Sequence, residues 1–580
     1  MAEVELPNDL GDGRLGFASE EEVDRFVDTL EKFERGDLAP DAWRAFRLVH
    51  GVYGQRQEGP MMVRVKIPQG VLTVGQLLAL GDVAENWSTG KGHVTTRQNV
   101  QFHFVKMDDV ETVLRKLADE GMTTREACGN SVRNITACPY AGVSASEAFD
   151  VTPYGEALTR HLLRGPLSSS LPRKFKIALG GCCDTDCVGA GFNDIGLLAR
   201  LKDGRRGFRV TIGGGLSTVR RQGFVAHEFA PVEELFDIAD AVVRVFNRTG
   251  NRKRKDRARL KFVIDKLGQE GFLAEYHQER QAIADEGGTP VGELPTVATI
   301  REKPSRPFVP SPGFARFVET NVRPQKQPGL VAVAIRLPLG DATAAQFRVL
   351  AGLAREFSGE EQVRTTVDQN LLLRFVRRDS LPALYTLLDR AGLAMPGAHT
   401  VADVTSCPGA MSCKIAVTAS RGVAALVSRE LEANPALAAK AESLSIKVSG
   451  CPNGCGQHYV AGIGLQGSVR KIAGRPVPQY HLYVGGGAKP EQVLFGRLAA
   501  KVPARRAGQA VARLIELYSA EKREGEAPDD FLARVPLSRV SSLLADLEEL
   551  PEAAATPEDF IDLGESKAFE VVLQEGECAA

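Results

Sequence analysis

The chain repeats itself, and that constrains its fold more than any other feature of the sequence. Alternating and helical apolar patterns predict a strand over 62–67, a helix over 75–87, a strand over 100–104 and a helix over 109–119. The same βαβα order begins again at 331–335, 343–357, 371–375 and 380–391. The second strands are introduced alike, by Thr95-Thr96-Arg97-Gln98-Asn99 and by Thr365-Thr366-Val367-Asp368-Gln369-Asn370. Further on, Cys138-Pro139 answers Cys407-Pro408, and Cys183 with Cys187 answers Cys451 with Cys455. Ile195-Gly196-Leu197 and Ile463-Gly464-Leu465 each begin twelve residues after Cys183 or Cys451, and a strand then runs into Gly213-Gly214-Gly215 or Gly485-Gly486-Gly487. One such match is noise, but a series in one order is a duplicated unit. The expected fold class is α+β, with two copies related by a pseudo-twofold axis.

Four cysteines of the second copy fall as C-x5-C (Cys407, Cys413) and C-x3-C (Cys451, Cys455), each pair set among Gly, Pro, Ser and Asn. Small residues let the backbone turn sharply and bring thiolates to one point. Four thiolates suit zinc or an iron–sulfur cluster. Zinc pairs are usually spaced by about two to four residues, so C-x5-C favours the bulkier cluster. Four unrelated buried thiols are the bland alternative. The first copy keeps three cysteines, with Ser144 standing where Cys413 does. A serine is a poor substitute for a soft thiolate, so the first copy is expected to hold no cluster.

The first copy carries cations instead. Arg97 stands where the second copy has Val367, Arg133 precedes Cys138, and Arg173, Lys174 and Lys176 precede the Cys183 turn. In an extended segment Lys174 and Lys176 point the same way. The ordinary alternative is an edge strand with solvated lysines. Set across a pseudo-twofold axis, one copy would supply the redox metal and the other a positive pocket for an anionic oxidant.

The 580 residues allow about three or four domains, and a net charge of −1 argues against a chain that binds nucleic acid over its whole surface. Ten clustered cysteines in so long a chain read as ligands kept reduced in the cytoplasm, not as a disulfide scaffold. The first residues have no apolar core, so no signal peptide is expected, and no apolar run reaches the roughly 18 residues that a membrane span needs. No Gly-x-Gly-x-x-Gly follows a strand, so electrons must arrive from another protein. The densest basic run, Arg248 to Lys261, has three readings: a docking patch for an acidic donor, contacts to an anionic cofactor, or a solvated helix start. Prolines over 286–328 suggest an extended linker, and an acidic tail beyond 551 is expected to be only partly ordered, with Cys578 a bystander.

Cys407-x5-Cys413 with Cys451-Pro452-Asn453-Gly454-Cys455, the Thr95–Asn99 turn and Leu171-Pro172-Arg173-Lys174-Phe175-Lys176 together resemble the sirohaem-dependent assimilatory sulfite and nitrite reductases, over roughly 45–545. The resemblance implies a [4Fe–4S] cluster on Cys407, Cys413, Cys451 and Cys455, with Cys455 shared with the sirohaem iron. It implies an anion pocket of Arg97, Arg133, Lys174 and Lys176, and donation from ferredoxin or a flavoprotein. Sirohaem has eight carboxylates, for which Arg173, Arg64, Arg125 and Arg470 are candidates; Asn453 and the backbone of Gly213, Gly214 and Gly215 are further cofactor contacts. Lys176 points to sulfite, reduced to sulfide, as substrate, with nitrite reduced to ammonia as the alternative. The implied organisation is an N-terminal arm (1–60), a ferredoxin-like half-domain (61–135), a sirohaem and substrate domain (136–285), the linker (286–328), a second ferredoxin-like half-domain (329–400), an iron–sulfur and sirohaem domain (401–550) and the tail (551–580). The rival from another class is a zinc-stapled nucleic-acid-binding protein, which the charge and the cysteine spacing disfavour; no nucleic acid and no membrane partner is expected.

Overall fold

A computed structural model describes residues 16–574, 576 and 577. The arm is α1 (Glu20–Glu34), α2 (Pro40–Val49) and β1 (Val52–Gly54). The first half-domain follows with β2 (Met61–Val65), β3 (Val71–Thr73), α3 (Val74–Trp87), β4 (Lys91–Val94), β5 (Val100–Val105) and α4 (Val110–Ala118). Its α/β module holds β6 (Thr136–Ala137), α5 (Thr152–Leu162), β7 (Ile177–Gly180), β8 (Ile195–Lys202), β9 (Arg205–Ile212), β10 (Phe224–Pro231), α6 (Leu235–Thr249) and α7 (Leu260–Asp285). The second half-domain holds α8 (Phe314–Asn321), β11 (Val322–Pro324), β12 (Leu330–Ile335), β13 (Asp341–Thr343), α9 (Ala344–Phe357), β14 (Gln362–Thr365), β15 (Leu371–Arg377) and α10 (Leu381–Arg390). The last module holds β16 (Thr405–Ser406), α11 (Ser420–Ala433), α12 (Pro435–Lys440), β17 (Ile446–Ser449), β18 (Ile463–Ile472), β19 (Arg475–Val484), β20 (Gly487–Ala488), β21 (Val493–Leu494), β22 (Arg497–Pro503), α13 (Ala507–Glu521), α14 (Pro528–Arg534) and α15 (Leu537–Glu548).

The duplication governs local structure down to the caps. Thr73 and Thr343 each accept from the N–H three residues on, and Gln76 and Gln346 each reach back to the cap N–H. Such a capping box is worth about 1 kcal/mol and fixes where α3 and α9 begin. The two half-domains are also interlocked. Their sheets run β1-β2-β5-β4-β13 and β11-β12-β15-β14-β3, so each takes its last strand from the other copy. The exchange is reciprocal, with Ala342 opposite Gly92 and Leu72 opposite Val363. One apolar core accordingly spans both, from Val63 and Phe102 to Phe347 and Leu373, and each α/β module has a core of its own.

The module sheets run β10-β9-β8-β7-β6 and β16-β17-β18-β19-β22, and in each the first three strands in sequence are parallel. Their register corrects one sequence-based pairing. Ala137 lies beside Leu179 as Ser406 lies beside Val448, which places Cys138 with Cys407, Ser144 with Cys413, and Cys182, not Cys183, with Cys451. The loop from Cys182 to Ile195 is one residue longer than that from Cys451 to Ile463, and counting back from Ile195 hid the difference. Cys183 is exposed.

Two further expectations need correction. The stretch 286–328 is not a linker throughout, since α8 and β11 lie within it and β11 pairs with β12. The described part of the tail is docked: Phe560, Asp562, Phe569 and Glu577 are buried. Cys578 lies outside the described residues. Among the described residues no helix is long and apolar enough to cross a membrane.

Candidate active site

Each Thr-Thr turn is tied to the opposite copy by its glutamine. Gln98, at φ 56°, donates through Nε2 to the Thr365 carbonyl (2.8 Å) and accepts from the Ala137 N–H (2.9 Å). Gln369, at φ 67°, donates to the Val94 carbonyl (3.0 Å) and accepts from the Ser406 N–H (2.8 Å). Each glutamine thus fixes the strand that leads directly into Cys138 or Cys407. The neighbouring position is where the copies part. Val367 packs with Ala178, Val188, Ala190, Leu198 and Cys187, so apolar side chains fill its side of the pseudo-twofold axis. Arg97 on the other side donates to Asn193 Oδ1 (2.8 Å), to the Ile177 carbonyl (3.2 Å) and to the Asn134 carbonyl.

Arg97 is part of a cation group. Burial first, then Arg133 and Arg259, push its pKa down to about 9, with Asp194 opposing. Lys176 is pushed well below the ordinary lysine range by burial and by Arg97, Arg259 and Lys174, and the Cys455 thiol opposes that shift. Lys261 is pushed down to about 7, chiefly by burial and then by Arg259. One fully buried carboxylate stands among them. Asp194 accepts from the Lys176 N–H (2.9 Å) and from Arg259 Nη2 (2.8 Å), and its Oδ1 has no partner. The Nε groups of Arg97 and Arg259 are likewise buried and unpartnered. Polar atoms are seldom left so, and a surplus of cations with orphaned donors is the wall of an anion site.

The thiols lie in the loops after β16 and β17. Cys407 Sγ accepts from the Gly450 N–H (3.3 Å) and lies 3.4 Å from Ser420 Oγ. The loops meet backbone to backbone at Gly450, where a Cβ would come within 2.6 Å of the Thr418 carbonyl. Burial and then the Cys455, Cys407 and Cys413 thiols push the Cys451 thiol up, so the four are electrostatic neighbours. Four thiols with a backbone N–H aimed at sulfur match an iron–sulfur cluster, and the cation wall facing Cys455 matches a ring bearing many carboxylates.

The two parts meet across the copies. Thr96 Oγ1 donates to the Cys455 carbonyl (2.8 Å), Gln457 Nε2 donates to the Thr96 carbonyl (3.4 Å), and Ser217 Oγ donates to Asn453 Oδ1 (3.3 Å). Arg220 stacks 4.3 Å over the Tyr459 ring.

Several residues singled out in the sequence have other attachments. Arg133 donates to the Ala127 carbonyl (3.1 Å) and twice to the Gly129 carbonyl (3.2 and 2.7 Å), so its fork is engaged by its own loop although its charge acts on Arg97. Arg173 contacts Asn130 Oδ1 at 3.5 Å. The N–H groups of Gly213 and Gly215 are taken by the Asp194 and Arg221 carbonyls, and a Cβ on Gly214 would strike the Asn193 carbonyl at 2.6 Å. The N–H groups of Gly213 and Gly215 are therefore engaged within the loop, and Gly215 packs beside Arg259 and Lys261. Arg64 donates to the Ala127 carbonyl (3.1 Å). Arg125 pairs with Glu22 (3.4 Å) and Arg470 bonds Gln479 (2.8 Å) and the Lys501 carbonyl (3.3 Å), none of them site residues. Sequence reasoning missed Asn193 and Asp194, whereas Arg259 and Lys261 belong to the basic run for which contact with an anionic cofactor was one of three readings. The signal was present: Asn193-Asp194 abuts the repeated Ile195-Gly196-Leu197, and Arg259 and Lys261 end the basic run. The run divides, those two turning inward while Arg252, Lys253, Arg254, Lys255 and Arg257 stay exposed.

Comparison with known proteins agrees with this geometry. The chain matches the family described as "Nitrite and sulphite reductase 4Fe-4S domain" over 128–283 and 397–549, and "Nitrite/Sulfite reductase ferredoxin-like half domain" over 53–120 and 323–391. It is 32% identical to a ferredoxin–nitrite reductase of Leptolyngbya laminosa, covering 74% of this chain and 81% of that protein. It is 30% identical to an assimilatory ferredoxin-dependent nitrite reductase of Haloferax mediterranei, covering 88% of each, and 27% identical to a ferredoxin sulfite reductase of Mycolicibacterium paratuberculosis, covering 82% and 85%. The solved structure of the Mycobacterium tuberculosis NirA protein shares the fold, with a TM-score of 0.75 at 24% identity over 92% of this chain and 100% of that one.

Proposed function

Because the chain belongs to the nitrite and sulfite reductase family, oxidoreductases that use sirohaem and a [4Fe–4S] cluster, we propose that it reduces sulfite to sulfide with six electrons drawn from ferredoxin. The observation that carries this reading is Lys176, which has Arg97, Arg259 and Lys174 as its cationic neighbours and Cys455 opposite. When bound, the cofactor pair supplies the electrons and an open iron position for the oxyanion. The chain does the rest. Arg97 and Lys174 hold the anion by charge, and Arg97 keeps its Nε unpartnered while Asn193, Asn134 and Ile177 fix its Nη groups. Lys176, crowded by Arg97, Arg259 and Lys174 and desolvated, is the proton donor, because burial and neighbouring cations disfavour its charged form. Arg259, whose Nε is buried and unpartnered, would face a cofactor carboxylate, while Lys261 Nζ donates to the Leu216 carbonyl (2.6 Å) and to the Val219 carbonyl and adds positive charge beside it. Cys407, Cys413, Cys451 and Cys455 would hold the cluster, with Cys455 the ligand nearest the cation group that would take up the sirohaem.

The dianionic form of sulfite gains more from the extra cation at 176 than nitrite does. Nitrite reduction to ammonia is the second reading, favoured by the names of the relatives at 30–32% identity. A flavoprotein donor is the alternative to ferredoxin. Measuring kcat/KM for the two anions with one dye donor tests the choice. At least a tenfold preference for sulfite is expected, and a clear preference for nitrite overturns it.

A further inference from the structure

We propose that the C-terminal strap, residues 561–574 with 576 and 577, positions the cluster ligand Cys413 by bracing its loop from outside, with Glu577 as the anchor. The inference rests on the assignment of the cluster to Cys407, Cys413, Cys451 and Cys455. Residues 409–416 form a short turn rich in small residues, and ordering such a segment costs about 1–2 kcal/mol per residue. On its inner side the turn is held by Cys413 N–H to the Gly409 carbonyl (3.0 Å) and by Val417 N–H to the Gly450 carbonyl (2.8 Å).

Its outward carbonyls are taken by two segments remote in sequence. The Ser412 carbonyl accepts from the Arg56 N–H (2.9 Å), and the Met411 carbonyl accepts from Gln57 Nε2 (2.9 Å). The Ala416 carbonyl accepts from Arg56 Nη2 (2.5 Å), and the Lys414 carbonyl accepts from the Gln574 N–H (3.1 Å). The two segments are bound to each other as well, by Gln574 Nε2 to the Arg56 carbonyl (3.2 Å) and by Arg56 Nη2 to the Val572 carbonyl (3.0 Å). Further back, Asp562 accepts from the Ala419 N–H (2.7 Å) just beyond the turn.

Glu577 closes the arrangement. It is 4% exposed and accepts from Arg47 Nη1 (2.9 Å) and Nη2 (2.6 Å) and from the Gly54 N–H (2.7 Å), with Lys414 Nζ at 3.3 Å. Only a carboxylate has the acceptor capacity for four donors at one point. Through it α2, β1 and the Cys413 turn become one body.

The experiment uses the full-length holoenzyme. Glu577→Gln should release iron to a chelator at least tenfold faster than the wild type, and trypsin should cut after Lys414, where the wild type resists. Glu570→Gln, exposed on the same strap, should behave as wild type. Gln574→Ala leaves the anchor intact and should release iron several-fold faster, which keeps the test open if Glu577→Gln does not fold. A wild-type chain purified without iron would bring down the cluster assignment and this inference together. Wild-type iron content with unchanged release and unchanged cutting in both variants would overturn the bracing role alone.

Discussion

Replacing Arg97 by Met distinguishes a guanidinium kept for anion chemistry from one kept for stability. Its environment holds the pKa at about 9 instead of 12.5, and at 1.36 kcal/mol per pH unit this disfavours the charged side chain by roughly 4–5 kcal/mol. Truncation removes that penalty. It also orphans Asn193 Oδ1 and the Ile177 and Asn134 carbonyls, at about 1–3 kcal/mol for each that water does not reach. The two nearly cancel, so urea or thermal melts should place the variant within about 2 kcal/mol of the wild type. Breaking an ordinary buried ion pair costs about 3–5 kcal/mol. Anion reduction with a dye donor should instead fall by about 10²–10³ in kcat, the usual cost of losing one preorganised donor to a developing oxyanion. A variant that loses more than about 3 kcal/mol of stability while keeping kcat within tenfold would refute the reasoning and make Arg97 structural.

Three further outcomes are expected. Asp341 of the exchanged strand lies 3.1 Å from His93 Nδ1 and 2.5 Å from Arg421. Burial would raise its pKa, but His93 and Arg421 outweigh burial and hold it at about 2, while burial pushes His93 down. A depressed carboxylate stabilises the fold above its unfolded value near 4, so Asp341→Asn should cost about 2 kcal/mol at pH 6, a gap that closes as pH falls from about 4 to 2; a pH-independent gap in urea melts contradicts this. Charge reversal at the exposed Arg252 and Arg254 should weaken ferredoxin-driven turnover several-fold and spare dye-driven turnover; if both fall together, the patch is no docking surface. Iron and acid-labile sulfide should correspond to one cluster per chain, because Val367 packs against the place where a second would sit; a content matching two would refute it.

What could be read from the sequence follows from the range of the forces involved. The repeat and the two pairs of ligand cysteines are local signals, so the half-domains and the thiol loops were legible. The exchange of β3 and β13 was not, because three-residue strands pair according to what lies beside them in space. Cys183 was preferred to Cys182 because two adjacent cysteines are equal to a count and only the β6–β7–β8 register separates them. Asp194 was invisible for a different reason. A lone carboxylate has meaning only once the Lys176 N–H and Arg259 are seen to converge on it.

The same asymmetry explains how a duplicated chain comes to have one site. The scaffold kept both glutamine ties, Gln98 to Thr365 and Gln369 to Val94, because the interlocked half-domains need both. Ligand chemistry carries no such constraint. Three thiols and Ser144 leave the first copy one soft ligand short, and an apolar Val367 can then fill the space beside Cys187. On the other side of the axis the second copy keeps all four thiols, while Arg97, Lys174 and Lys176 come from the first. On the proposed reading neither copy works alone, since Lys176 of one interacts with Cys455 of the other. On that reading the interlocked fold fixes the distance between the proposed anion pocket and cluster, and a substitution that loosens the exchanged strands should uncouple the two before it unfolds either.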